Sequence, residues 1–196
     1  MYTVALGVPE ACRQEAAELY WEAFGRKLGP AIGPRERGIA LLAPKLELDN
    51  AMAALSEGQL LGLAGFQLEG KTLVNLTLGD VFREFGPLRG VWRSALLALL
   101  DRKPAKSELL LDGIVVRPDQ RGRGIGTALL QALFELARAN NLTSLRLDVV
   151  DTNPRARSLY EREGFVVTKV ERTPYLRRLM GFGSSAEMVA RPDALR

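Results

Sequence analysis

A short apolar segment that leads into a glycine-rich loop and then a helix, residues 109–128, constrains the fold more than any other part of this sequence. Residues 109–116 are apolar and rich in β-branched side chains, which predicts a buried strand. Three glycines follow at alternate positions, so backbone N–H groups there can approach an anion without interference from Cβ atoms. The following helix would add the positive end of its dipole, and Arg121 and Arg123 add formal charge. The segment therefore predicts a phosphate-binding loop.

The spacing of Gly122, Gly124 and Gly126 disfavours two common nucleotide-binding folds. A P-loop requires a lysine after its last glycine, and none follows the glycines of this loop. A dinucleotide fold uses G-x-G-x-x-G directly after a strand, whereas this loop has G-x-G-x-G after a charged, proline-containing connection. Asp148, in a second predicted strand about the right distance downstream, favours the dinucleotide alternative, which would make the protein an oxidoreductase.

The single cysteine and the absence of histidine limit the reactions that this chain could catalyse. The 196 residues suit one domain that can bury a core without disulfides or metal. Cys12 is the only cysteine, which excludes an internal disulfide and a cysteine-based zinc cluster, and suits a reducing cytoplasm. The chain has no histidine, so Ser-His and Cys-His nucleophile systems and the commonest metal ligand are missing. Acid-base chemistry must use carboxylates, Tyr, Lys or water, and no metal site is predicted.

Charge and hydropathy limit the partners. The net charge of +4 is compatible with anionic ligands, but the arginines are scattered and form no basic patch interleaved with aromatic residues, so we expect no nucleic-acid partner. No basic segment followed by an apolar one begins the chain, so we expect no signal peptide. The apolar run 94–100 is too short to span a membrane. We therefore expect a cytoplasmic protein with no membrane partner.

The first third of the chain predicts a strand over residues 2–8, a helix from Pro9, and a loop over 25–38, where Gly and Pro are frequent. Residues 50–55 and 59–68 predict two strands of a hairpin. Apolar residues recur at helical spacing after Pro9 and predict a stripe that lines the core or a substrate cleft: Ala17, Tyr20, Trp21 and Phe24.

The second half predicts alternating helices and strands. An apolar stripe over residues 129–137 predicts a helix, and residues 145–150 predict a strand. Asn153 and Pro154 are favoured at the N-cap and first position of a further helix, which Gly164 ends. Strands are predicted over residues 165–170 and near 186–190.

Two motifs resemble those of the GNAT N-acetyltransferase superfamily. Arg121-x-x-Gly124-x-Gly126, after a strand, resembles its acyl-coenzyme A loop, Q/R-x-x-G-x-G/A. The second motif, N-x-x-A-x-x-L-Y-x-x-x-G-F, is matched by Asn153, Ala156, Leu159, Tyr160, Gly164 and Phe165. Both occur in order, with a helix and a strand between them, and together they cover residues 109–165.

The resemblance implies a single α/β (α+β) domain over residues 1–196, with a central mixed, mostly antiparallel sheet flanked by helices. It implies acetyl-coenzyme A (acetyl-CoA) as cofactor, with the strand lining its thioester and pantetheine arm and the loop holding its pyrophosphate. The implied cofactor-binding residues are Ile114, Val115, Val116, Arg121, Gly122, Arg123, Gly124, Ile125, Gly126, Thr127 and Asn153.

Residues 72–107 are longer than the connection typical of that family and carry many large apolar residues, so we interpret them as an insertion. Trp92, Leu96, Leu99 and Leu100 predict one face of a helix that ends before Pro104. The insertion could pack on the sheet as a helical hairpin and contribute to a homodimer contact, or form a lid over an apolar acceptor.

The resemblance and the spacing suggest roles on the second helix. Asn153 and Tyr160 are two helical turns apart and share one side, along which the pantetheine arm could lie. Tyr160 could supply the proton that the departing thiolate gains, although a phenol pKa near ~10 exceeds a thiol pKa near ~8.5, so position or water must help. Alternatively, Tyr160 is a packed aromatic residue and Asn153 a plain N-cap.

The general base has three candidates. Asp112 is a carboxylate in an apolar strand, and strand alternation predicts that it shares a face with Leu110, Ile114 and Val116. Burying it unpaired would be costly, so it has a partner or serves the chemistry; Asp148 and relayed water are the alternatives. We expect acetyl transfer directly to an amine in a ternary complex, or, as an alternative, a non-catalytic acyl-CoA-binding module. The acceptor could be an antibiotic, a polyamine, an amino acid, or an amine of a peptide or protein.

Overall fold

The strands of the chain build one mixed sheet in the computed structural model, which describes residues 1–98, 103–174 and 177–194. The sheet has eight strands, with seven in the order β1-β2-β3-β5-β6-β8-β7 and the two-residue β4 paired to β3. The strands are β1 (Thr3–Leu6), β2 (Ala51–Ser56), β3 (Gln59–Leu68), β4 (Lys71–Thr72), β5 (Glu108–Val116), β6 (Ser144–Val150), β7 (Val166–Arg172) and β8 (Ser184–Ala190).

Every strand pair is antiparallel except β5 with β6, which are parallel. The predicted mixed, mostly antiparallel sheet of a single domain is confirmed. A doubly wound dinucleotide fold has a mostly parallel sheet, so this topology is not that of the oxidoreductase alternative.

Helices cover both faces of the sheet. They are α1 (Arg13–Ile32), α2 (Arg35–Leu42), α3 (Leu78–Ala98), α4 (Ile125–Ala139), α5 (Pro154–Arg162) and α6 (Arg177–Met180). One core lies between the sheet and α1, α2 and α3, and contains Trp21, Ile32 and Leu63. The other lies against α4 and α5, and contains Phe134 and Tyr160. The sheet thus lies between two apolar layers, and each layer packs on one of its faces.

The predicted loop over residues 25–38 is wrong, because α1 continues to Ile32 and α2 begins at Arg35. Two glycines of this segment, Gly25 and Gly38, leave the space that the Trp21 side chain occupies. A Cβ on Gly38 would lie 1.9 Å from Trp21 Cζ3, and one on Gly25 would lie 2.7 Å from Trp21 Nε1. The indole therefore packs directly on the backbone of both helices, and glycines that resemble turn residues in the sequence are close-approach positions.

The predicted helix through Trp92 and Leu96 is present as α3, while Leu99 and Leu100 lie outside the described residues. The helix is interrupted at Gly86, whose φ of 72° and ψ of 171° precede Pro87. Leu96 is buried against the α1 side of the sheet, whereas Trp92 is 47% exposed. In the described chain, no helix is long and apolar enough to cross a membrane.

We predict that Gly38→Ala destabilises the fold by about 1–3 kcal/mol, because the new methyl group would displace the Trp21 indole. Gly29→Ala is the matched control: it lies in α1, and a Cβ there would have nothing within 4 Å, so about 0.5–1 kcal/mol of stabilisation is expected. Urea unfolding measures both. Equal stabilities of the two variants would show that the indole is not packed against Gly38.

Candidate active site

A break in the pairing of β5 opens the site. Gly65 of β3 pairs with Gly113, and the next residue, Phe66, pairs with Leu111, so Asp112 is an extra residue in β5, opposite no residue of β3. This is a β-bulge, which bends a strand and increases its twist. The parallel pairing with β6 ends at the same point, where Leu111 pairs with Leu147. Beyond it, β5 and β6 separate, and the β5 backbone over residues 113–116 has a partner on β3 only.

The glycine-rich loop lies at the wide end of this gap. Gly122 and Gly124 both have φ near +80°, a backbone conformation that glycine adopts without strain, and Gly124 is the N-cap of α4. The first hydrogen bond of this end of α4 is from Ala128 N–H to the Gly124 carbonyl, 3.0 Å. In the described part of the chain, the amides over residues 124–127 have no acceptor, as expected for the first turn of a helix.

The two arginines of this loop point to different partners. Arg121 Nη2 donates to Glu22 Oε1 of α1 at 2.9 Å, and its Nε donates to the Val116 carbonyl at 3.1 Å. It therefore bridges α1, β5 and the loop at the mouth of the gap. Arg123 Nη1 donates to Gln120 Oε1 at 2.6 Å, and Arg123 does not line the site cavity described below.

Helix α5 forms the opposite wall. Asn153 is its N-cap and accepts a hydrogen bond from Ala156 N–H at 3.2 Å. Tyr160 exposes 6% of its surface and packs against Phe165, with ring centroids 5.8 Å apart. Burial raises the pKa of Tyr160 to about 12, because the phenolate would lose its hydration there. Tyr160 is thus a packed aromatic residue whose phenol is protonated at neutral pH.

The bulge changes the side on which Asp112 lies. Ile114 and Val116 pack with the core on the α4 side, whereas Val115 is buried on the α1 side. The charge of Asp112 contributes to the raised pKa of Tyr20 of α1, after the larger effect of burial. The prediction that Asp112 shares a face with Ile114 and Val116 is wrong, because the extra residue inverts the alternation of the strand.

Asp112 has hydrogen-bond donors on β3 and on β4, the short strand paired to β3. Gln67 Nε2 donates to its Oδ1 at 2.8 Å and Thr72 Oγ1 donates to its Oδ2 at 3.3 Å. These contacts orient the carboxylate and offset part of the cost of its partial burial. Asp148 is the corresponding residue of β6, directly after the last parallel pair.

One cavity of about 840 Å³ joins these parts. Most of the sequence-predicted site residues line it, together with Asp148: Asp112, Ile114, Val115, Val116, Arg121, Gly122, Gly124, Ile125, Gly126, Thr127, Asn153 and Tyr160. Arg123 is the exception. Among the described residues, none of those that line it belongs to α3.

Several residues that line this cavity are not among the site residues predicted from the two motifs. Glu22, Phe24 and Lys27 line it from α1, and Arg155 and Arg162 line it from α5. Phe24 belonged to a stripe that the sequence assigned to core or cleft. Lys27 follows it by one helical turn, and the helical periodicity would have found it had the helix not been ended at Gly25.

The matches to known proteins agree with this geometry. The model of the Acetyltransferase (GNAT) family matches residues 13–165. A thialysine N-epsilon-acetyltransferase of Bos taurus is 39% identical over 56 residues, 29% of this chain and 33% of that protein. An L-methionine sulfoximine/L-methionine sulfone acetyltransferase of Pseudomonas paraeruginosa is 42% identical over 55 residues, 28% of this chain and 32% of that protein. The aligned regions thus span about a third of these relatives.

The fold is also found in solved structures. A crystal structure of an acetyltransferase superposes with a TM-score of 0.61 over 97% of this chain and 100% of its own, at 24% identity. Because the family model covers most of the chain and includes both walls of the cavity, the protein belongs to the GNAT family of acetyltransferases.

We predict that the Tyr160 phenol ionises with a pKa of about 12, compared with the usual 10.0, since its site disfavours the charged form. The contribution of this phenol to stability is therefore fully present below pH 10 and is lost as the pH rises through 12. A pH titration of phenolate absorbance checks this by difference. Tyr160→Phe should remove amplitude at the high end of the curve, and loss of amplitude centred on pH 10 would contradict it.

Proposed function

We propose that this chain is an N-acetyltransferase that uses acetyl-CoA and transfers its acetyl group directly to a primary amine in a ternary complex. The observation that carries the proposal is the single cavity that connects unpaired helix amides, an unpaired strand edge, a buried phenol and two carboxylates. The curated relatives are named for the acceptors thialysine and L-methionine sulfoximine or sulfone. They support a small-molecule amine as acceptor.

The loop fits a diphosphate. Amide donors at the start of α4 and the dipole of this helix favour an anion, and the positive φ of Gly122 and Gly124 leaves space beside the backbone. Arg121 lines the cavity next to these amides and adds a guanidinium. We assign the pyrophosphate of the cofactor to this position, with Arg123 as a contributor from the outer side of the loop.

The gap between β5 and β6 fits an extended arm. The main chain over residues 113–116 has no strand partner on the β6 side, so its polar groups are available to pair with an amide-containing ligand as another strand would. Asn153 lines the other wall of the gap, and its side chain serves α5 as N-cap at the same time. Acetyl-CoA would supply here an acyl group on a good leaving thiol.

Protons must move in two directions during transfer. As the new C–N bond forms and the C–S bond breaks, the nitrogen of the acceptor ammonium loses two protons in all, of which one is balanced by protonation of the departing thiolate and the other leaves to solvent. We assign donation to Tyr160, which is protonated at neutral pH. Its pKa of about 12 makes it a weaker acid than the thiol, so its position beside the sulfur or a water must assist the transfer. We assign proton removal to Asp112, which Gln67 and Thr72 hold in the cavity wall, with Asp148 or a relayed water as the alternatives. A reducing, cytoplasmic location suits the unpaired Cys12.

Gly124→Glu and Arg121→Ala should each abolish binding of coenzyme A, measured by calorimetry. The glutamate would strain a backbone with φ of +80° and place a negative charge at the N-terminus of α4. Gly58→Glu is the matched control, because Gly58 has φ of +78° in the β2–β3 turn, where a Cβ would have nothing within 4 Å. Wild-type affinity in Gly124→Glu would show that the loop does not hold the diphosphate.

Release of free thiol from acetyl-CoA in the presence of a panel of amines tests the transfer itself. An acyl-CoA-binding module without catalysis would bind the cofactor and release none. For Tyr160→Phe we expect kcat to fall by about 100-fold or more while the dissociation constant of coenzyme A changes little. An unchanged kcat would remove Tyr160 from the proton transfer and leave it as a packed aromatic residue.

A further inference from the structure

The aromatic ring of Phe24, on α1, packs on the main chain of the β5 bulge. A Cβ on Gly113 would lie 2.3 Å from Phe24 Cζ and 3.0 Å from its Cε1, so the ring occupies the space that any side chain at this position would need. Phe24 and Gly113 both line the cavity. The ring therefore forms the α1 wall of the cavity at the end where the gap between β5 and β6 closes.

The proposed course of the cofactor brings its acyl group to this end of the gap. The diphosphate is assigned to the start of α4, and the arm to the main chain over residues 113–116, which spans about 10 Å at the usual rise of a strand. The glycine-rich loop follows residue 116 and the bulge precedes residue 113. An arm that starts at the loop would thus run toward the bulge, with its thioester beside Gly113.

A longer acyl chain would have to extend from this position toward α1. Ahead of the thioester, β5 and β6 are paired at Leu111 and Leu147, and the gap ends. On the α5 side, Tyr160 exposes 6% of its surface and packs against Phe165. The remaining direction is toward the α1 face of the sheet, where the Phe24 ring lies.

The Phe24 ring is held in place by its neighbours on α1. The ring of Tyr20 packs against it, with centroids 4.5 Å apart. The ammonium of Lys27 lies on the next turn, with Nζ 6.0 Å from the Phe24 centroid. Together with the contact to Gly113, these interactions restrict the ring, so it cannot turn aside for a larger acyl group without losing packing.

We propose that the Phe24 ring limits the acyl donor to short groups, so that acetyl-CoA is accepted and acyl-CoA with a longer chain is rejected. This inference rests on the proposed acetyltransferase function and adds to it the residue that selects the donor. Phe24 acts through its volume alone, because a chain that met the ring would overpack this wall of the cavity.

The experiment measures the binding of two thioether analogues, S-ethyl-coenzyme A and S-hexyl-coenzyme A, by calorimetry. Neither can transfer an acyl group, so the measurement does not depend on the acceptor. The wild type should bind the ethyl analogue about tenfold more tightly or better, since overpacking costs at least that factor. In Phe24→Ala the hexyl chain gains space, and each methylene that becomes buried adds about fourfold in affinity. The ethyl-to-hexyl preference should therefore fall by about tenfold or more.

Two further variants accompany this measurement. Phe24→Leu keeps an apolar side chain in the wall and should lower the preference in the same direction by a smaller factor, and it decides the question alone if Phe24→Ala does not fold. Phe182→Ala is the matched control, because the Phe182 ring also contacts Lys27, at 5.5 Å, but is not among the described residues that line the cavity. It should leave the preference unchanged.

The outcomes separate this inference from the proposed function. If the wild type binds the hexyl analogue as tightly as the ethyl analogue, the inference is overturned while cofactor binding stands. The same holds if the Phe24 variants weaken both analogues by one factor, because Phe24 then only supports α1. If coenzyme A itself does not bind to the wild type, the proposed function fails, and the inference with it.

Discussion

The rest of the site depends on one interruption of the backbone pairing, the bulge at Asp112. A parallel pair in an otherwise antiparallel sheet is held by slanted, evenly spaced hydrogen bonds, and one extra residue is enough to stop it. The bulge has two effects at once. It separates β5 from β6, which exposes an unpaired strand edge inside the molecule, and it turns Asp112 toward α1 while Ile114 and Val116 turn toward α4.

Side-chain contacts stabilise the gap between β5 and β6 at both of its ends. On the paired side, Arg146 of β6 bonds Glu108 of β5 at 2.8 Å and Glu187 of β8 at 3.2 Å, which links three strands at the end where β5 and β6 are paired. On the open side, Arg121 links the loop to Glu22 of α1 and to the β5 backbone. A separate core packs on each face of the sheet. The separation of β5 from β6 is therefore local, and the packing around it is retained.

The sequence specified the parts of the site whose chemistry is local. Glycines at alternate positions before an apolar stripe predict a helix N-terminus open to an anion, whatever the tertiary structure, and Asn153-Pro154 predicts the start of α5 for the same kind of reason. The order of strands and helices from residue 109 onward also followed from the sequence, except for the short helix α6. Residues 25–38 did not, since glycine that admits the Trp21 indole and glycine that permits a turn are identical in a sequence.

By itself, then, the sequence determined the anion-binding loop, the helix that carries Asn153 and Tyr160, and the resemblance to a family of acetyltransferases. Only the tertiary structure decided which face Asp112 occupies, and that Lys27, Glu22 and Phe24 of α1 line the same cavity. The physical reason is that a helix N-terminus is formed by neighbours in the chain, whereas a strand bulge is defined by the register with another strand. That register pairs Gly65 with Gly113 and is fixed only when the whole sheet has assembled.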